Sequence, residues 1–290
     1  MPSELELQRP RSFGDLISDT FTYARAHYRS LGKSLLYFVV PVLILTSFST
    51  YSYMEITFEQ VAMQTGENIT GPDFSTMLLP LLGLIIFSLL SSSMLSAVVF
   101  NHMAFVRERG SGRVGTTELW NKVKKDFLIL ALLSVTVGSI VFMGFLFLFI
   151  PGIYLFVKLA LVPAVYVTER TDFSETFSRS WNLTNGYWWK TFGLIFAINM
   201  LVGFISYLFI VPIYMILMFV NLSGAATDPT ALTQGISIAY SLFIVISYGL
   251  YAFPMITIGL HYFNLTERKE GIALKEKIER IGRGPGMETL

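Results

Sequence analysis

The chain has 290 residues, 53% of them hydrophobic and 14% charged, with 21 Lys and Arg against 20 Asp and Glu. An ordinary soluble domain carries roughly 25% charged residues, and a mean hydropathy of +0.59 is more apolar surface than one soluble core hides. With no cysteine the chain has no disulfide framework, thiolate metal site or cysteine nucleophile, and a net charge of +1 gives no sign of a nucleic-acid partner.

Residues 1–34 contain acidic groups and no long apolar core, so they predict a cytoplasmic amphipathic segment and not a cleavable signal peptide. A spanning helix needs about 20 mostly apolar residues. Six stretches are candidates: 35–53, 77–106, 127–150, 153–168, 191–222 and 236–263. The fourth is short and holds Lys158 and Pro163. It is read as a span because the third and fourth together must return the chain to the side it left.

Charge sets that side. Five cations precede the first span, six lie between the second and third, three between the fourth and fifth, and six follow the sixth. The loops 54–76 and 223–235 hold no Lys or Arg. The positive-inside rule then places both termini in the cytoplasm, and six crossings fit where five do not. The predicted domains are the segment 1–34, a six-helix transmembrane domain over 35–264, and a cytoplasmic basic tail over 265–290. In that tail Ile272, Leu274, Ile278 and Ile281 interleave with Lys275, Lys277 and Arg280.

An internal repeat organises the rest. Each pair of spans follows a short segment of aromatic residues and cations, at 12–33, 116–125 and 172–190. The fold class is therefore an all-α integral membrane protein, built as three repeats of an interfacial amphipathic helix plus a transmembrane hairpin. Phe13, Ile17, Phe21 and Tyr28 form one apolar stripe; Phe173, Phe177 and Trp181 form another at i, i+4 and i+8. The middle copy has only Leu119, Trp120 and Val123. Ser12 with Asp15, and Asp172 with Glu175, are placed as capping boxes. Such helices lie among lipid headgroups with their cations on phosphates; the alternative is that the same faces pack on the spans.

Lys158 is the one cation inside an apolar run, and intramembrane charge is a functional hypothesis by default. Snorkelling or a structural pairing competes with a substrate or lipid contact. No acidic residue lies within the six runs, so the expected partner is a headgroup phosphate or a backbone carbonyl. Together with Arg179, Trp181, Trp188, Trp189 and Lys190, it forms the predicted lipid or substrate contact set. Pro151 and Gly152 are expected to make a structural turn. His27, His102 and His261 lack metal spacing, which predicts no metal; His102 beside Asn101 and His261 beside Asn264 are expected to face each other as polar contacts between helices. No catalytic signature is found, so no catalytic residue, cofactor or enzymatic activity is expected.

The stretch PGIYLFVKLALVPAVYVTE, with FSETFSRSWNLTNGYWWKTFG after it, resembles the membrane domain associated with glycerophosphoryl diester phosphodiesterases and its stand-alone relatives of unknown function. The resemblance falls on Pro151, Gly152, Ile153, Tyr154 and Lys158; on Ser180, Leu183, Thr184, Gly186 and Trp188; and on Tyr262, Asn264, Leu265, Arg268, Glu270 and Gly271. It implies the membrane domain without the catalytic barrel, for which the roughly 25 residues after the last span are too few. The functional expectation is a non-catalytic inner-membrane protein that binds anionic membrane lipid or a protein partner through its cytoplasmic basic and aromatic face. The alternative is a small-solute or lipid transporter that uses Lys158.

Overall fold

Apolar runs this long can satisfy their backbone N–H and C=O groups without water only by coiling into helices. The computed structural model describes residues 6–64, 74–110, 114–222, 229–272 and 275, and among them there is no strand. The helices are α1 (Phe13–Ser34), α2 (Val40–Gln64), α3 (Phe74–Arg109), α4 (Thr116–Phe147), α5 (Phe149–Leu159), α6 (Val162–Glu169), α7 (Phe173–Thr184), α8 (Trp188–Leu222), α9 (Pro229–Leu250) and α10 (Ala252–Glu270), with a π-helical turn, Leu35–Val39, joining α1 to α2.

Six helical stretches are long and apolar enough to cross a membrane: Phe13–Thr57, Phe74–Arg109, Thr116–Phe147, Phe149–Glu169, Trp188–Ile216 and Gln234–Glu270. The protein is thus an all-helical chain with the makings of a multi-pass membrane protein. Most of the predicted tail, Ile278 and Ile281 included, lies outside the described residues.

Local chemistry explains where these elements begin and break. Ser12 and Asp15 do form a capping box at the head of α1: the Ser12 amide donates to Asp15 Oδ2 at 2.9 Å and the Asp15 amide donates to Ser12 Oγ at 3.2 Å. The box expected at Asp172 does not form, since Asp172 sits at the N-cap of α7 without a side-chain cap bond and offers only its backbone carbonyl to Thr176. The fourth stretch divides between Leu159 and Val162 because Pro163, in the first turn of α6, has no N–H to continue the ladder from α5. Arg170 ends α6 in the left-handed conformation, φ 56°.

The reversal between α4 and α5 is not made at Pro151 and Gly152, as expected, but at Leu148, which is extended (φ −163°, ψ 145°). Pro151 and Gly152 follow it in the first turn of α5. A backbone N–H at that position has no helical acceptor, so proline's lack of one costs nothing there. Gly152 instead permits close approach: a Cβ on it would fall 2.5 Å from the Phe145 ring, and one on Gly144 would lie 3.0 Å from the Gly152 Cα.

Two compact units divide the chain. One comprises Met1–Leu31, Ser96–Ile198 and Phe253–Leu290; the other comprises Gly32–Leu95 and Asn199–Ala252. In the second, α2 packs along α9, where Ser47 Oγ donates to the Ser241 carbonyl at 3.2 Å, and α2 meets α3 where Thr46 and Ser91 share a 2.9 Å hydrogen bond. The first unit holds all the predicted contact residues, with α7 packed against both α5 and α6.

Within the first unit, α1 and α7 bury a face other than the predicted aromatic stripe. α7 turns Thr176, Ser180, Leu183 and Thr184 inward, leaving Phe173 and Trp181 exposed. In α1, Leu16, Thr20 and Tyr23 are buried while Phe13, Phe21 and Tyr28 are exposed. The aromatic stripes of these two helices therefore stay at the surface. In the middle copy Leu119 and Val123 are fully buried while Trp120 stays exposed.

Candidate functional site

The six predicted contact residues fall into three groups. The first surrounds Lys158, near the end of α5 and 1% exposed. Its ammonium donates to Asn185 Oδ1 at 2.8 Å and lies 4.9 Å from the Trp181 ring and 5.6 Å from the Tyr154 ring. Each such cation–π contact is worth about 0.5–2 kcal/mol. The expected headgroup phosphate or backbone carbonyl is replaced by a side-chain amide, because α7 packs on α5 and delivers Asn185, its C-cap residue, to the ammonium. Ser180 Oγ fastens the two helices by donating to the Lys158 carbonyl at 2.8 Å.

Trp188 and Trp189 belong to this group through Tyr154. The Trp188 ring stacks on Tyr154 with centroids 5.9 Å apart, and Trp189 meets Trp188 edge-on at 4.7 Å. Trp189 is 78% exposed. Lys269 reaches the same corner, donating to the carbonyls of Asn182 at 2.5 Å and Asn185 at 2.9 Å. Asn185 thus holds one ammonium at its side chain and another at its backbone.

Arg179 stands apart. Its Nε donates to Glu169 at 2.7 Å and its Nη1 pairs with Glu270 at 2.5 Å. The Tyr262 hydroxyl also donates to Glu169, at 2.8 Å. Hydrogen bonding to Glu270, and then to Glu169, pushes the guanidinium further above its ordinary range. A cation so paired is a fastener between α6, α7 and α10, not a bare contact for phosphate.

Lys190 belongs to a third group with Arg11, which sequence reading passed over. The Arg11 guanidinium is fully buried; Nε donates to Asp19 at 2.8 Å, and Nη1 and Nη2 each donate at 2.6 Å to the carbonyls of Leu7 and Glu6. Burial lowers its pKa, with Asp19 opposing. The Arg11 carbonyl receives two cations, Lys190 Nζ at 3.0 Å and Arg268 Nη2 at 2.8 Å. They are therefore no more than about 6 Å apart and repel by roughly 3 kcal/mol at an effective dielectric of about 20, less where Arg268 meets solvent.

His102 and His261 bond to different helices, and the histidine ring that His102 meets is that of His27, edge-on at 5.3 Å. His102 lies in a chain with α1: its Nδ1 is 2.7 Å from the Tyr23 hydroxyl and its Nε2 2.9 Å from Ser30 Oγ, which also donates to the His27 carbonyl at 3.2 Å. His261 Nε2 is 2.9 Å from Thr191 Oγ1. Asn101 joins a different group, donating to Asp126 Oδ2 at 2.8 Å while Arg170 pairs with Asp126 and donates to Asn101 Oδ1 at 3.1 Å. Asp126 stands one residue ahead of the third apolar run, and that position was its one sequence signal. Among the described residues no three metal-ligating side chains cluster.

Residues 111–253 match a family described as a domain of unknown function, DUF7847. No curated protein and no solved structure matches the chain. The family description carries no activity and no link to glycerophosphoryl diester phosphodiesterases.

Proposed function

We propose that this is a non-catalytic integral membrane protein of the cell's inner membrane, which engages anionic lipid through a cytoplasmic face of basic and aromatic residues. One observation carries the reading: α1 and α7 leave Phe13, Phe21, Tyr28, Phe173 and Trp181 exposed while they bury Leu16, Thr20 and Tyr23 on one and Thr176, Ser180, Leu183 and Thr184 on the other, and Trp181 stands over the Lys158 ammonium. Aromatic side chains of this kind settle at the headgroup level. The segregation of cations along the chain supports cytoplasmic termini, and the recurrence of a short amphipathic helix before each pair of spans supports a threefold repeat. The motif residues from Pro151 to Trp188 support kinship with the phosphodiesterase-associated membrane domain, taken without its activity. A protein partner docking on the same face is compatible with the same chemistry.

Native mass spectrometry of the full chain, stripped of lipid and offered equal phosphatidylglycerol and phosphatidylcholine, tests the reading. Anionic adducts should exceed zwitterionic ones several-fold, and Trp181→Leu with Trp189→Leu should reduce both. Equal retention of the two lipids defeats it.

The buried ammonium of Lys158 favours a second reading, a small-solute or lipid transporter with Lys158 in its path. In a reconstituted flux assay, unchanged flux after Lys158→Met removes that residue from any path.

A further inference from the structure

The two buried histidines differ in one respect. At His102 every polar atom has a partner: the Tyr23 hydroxyl serves Nδ1, and Nε2 serves Ser30, whose own proton goes to the His27 carbonyl. Such a closed chain is structural. At His261 the account does not close, because Nδ1 has no hydrogen-bond partner in the protein. Thr191 spends its proton on the Tyr187 carbonyl at 2.9 Å, so His261 Nε2–H donates to Thr191 Oγ1 and Nδ1 is left as a bare acceptor.

One turn farther along α10, Asn264 is also fully buried. Its Oδ1 must face the Arg11 amide (2.7 Å) and Arg268 Nε (3.0 Å), since both can only donate. The amide orientation is therefore forced, and Nδ2, a donor, is left without a partner. Residues three apart lie on the same side of a helix, so the bare acceptor and the bare donor belong to one face of α10. A native protein rarely leaves two such atoms buried and unserved.

Charge completes the site. Lys190 and Arg268 converge on the Arg11 carbonyl, and among the described residues neither enters an ion pair. Asp15 is within electrostatic reach of Lys190 but caps α1 through Ser12. Lys190 also belongs to the first turn of α8, where the helix dipole favours an anion, although the Thr191 amide that follows is already paired with the Tyr187 carbonyl.

We propose that Lys190, Arg268, Asn264 and His261 bind a phosphate monoester or hydrogen phosphate. Its charged oxygens take the donors of Lys190, Arg268 and Asn264 Nδ2, and its P–O–H donates to His261 Nδ1. The acceptor at His261 sets the class: sulfate and phosphodiesters carry no proton to give it. The half-buried Lys190 and exposed Arg268 form the mouth, and the two buried side chains form the floor. This deepens the lipid reading at Lys190 if the monoester is a phosphatidic acid headgroup, but stands without it if the ligand is free phosphate.

The test uses the full chain in neutral detergent at about pH 5, where a monoester keeps its proton. Calorimetric titrations compare inorganic phosphate, sulfate, and mixed micelles of phosphatidic acid or phosphatidylglycerol. Phosphate or phosphatidic acid should bind at least tenfold tighter than sulfate or phosphatidylglycerol respectively. Phosphatidic acid alone identifies a lipid source, and inorganic phosphate binding as tightly identifies a free one. Arg268→Gln, an exposed change checked for an unaltered melting midpoint without ligand, should weaken binding tenfold, while Trp189→Leu should not. Equal binding of phosphate and sulfate, no binding of either monoester, or full affinity in Arg268→Gln overturns the proposal. A failure here leaves the phosphatidylglycerol preference of the aromatic face to its own test.

Discussion

Replacing Asp126 with alanine removes the acceptor that ties α3, α4 and the end of α6 together. The carboxylate side chain is 4% exposed, accepts from Asn101 Nδ2 at 2.8 Å and pairs with Arg170. Both hydrogen bonds end on a charged carboxylate, a class worth about 1.5–3 kcal/mol each. The Arg170 side chain, 44% exposed, can turn to water, so its bond counts at the low end or below. Asn101 Nδ2 keeps the Ala97 carbonyl at 3.0 Å, which limits the penalty for its lost partner. The expected loss is about 2–3 kcal/mol. Equilibrium unfolding in mixed micelles measures it, and a cycle with Arg170→Ala should return a coupling of about 1 kcal/mol. A loss below about 0.5 kcal/mol, or the same loss whether or not Arg170 is present, refutes the argument.

Three further perturbations discriminate in the same assay or a simple companion. Gly144→Ala sets a Cβ 3.0 Å from the Gly152 Cα and should cost about 1–3 kcal/mol, whereas Gly138→Ala, with open space around it, should gain up to about 1 kcal/mol from helix propensity; equal effects contradict the close approach. Asn185→Leu should lower the melting midpoint more than Lys158→Met, because the first strands a buried ammonium and the second removes it; the reverse order denies Asn185 its role. The natural chain lacks cysteine, so a single Lys122→Cys should resist an impermeant maleimide on intact cells, and labelling from outside overturns the cytoplasmic placement.

Long apolar runs are legible because they are local, and so was the Ser12 capping box, which needs only four residues. Pro163 was visible in the fourth run, yet that run reads as one span, and only the structure shows it divided between Leu159 and Val162. Lys158 stood out as an anomaly, yet its partner Asn185 is 27 residues away and is brought in only by the packing of α7 on α5. Arg179, Lys190 and Lys158 looked alike as cations near aromatic residues, and the tertiary fold sent them to two carboxylates, a backbone carbonyl and an amide. Aromatic periodicity could not say which stripe of α7 was buried; small residues such as Ser180 win that place because they let helices approach. Arg11, an ordinary basic residue in a charged terminus, gave no signal that it would be buried against Asp19.

The meeting of Gly144 and Gly152 bears on how this part of the chain comes to lie in a bilayer. With no Cβ on either glycine, the two arms of the α4–α5 hairpin come close enough for Phe145 and Leu155 to pack over them, at a tip where Phe147, Leu148, Phe149 and Ile150 are all exposed. Such a tip can sink into hydrocarbon as a single preassembled piece, leaving acyl chains no crevice to fill and asking neither arm to wait for the other.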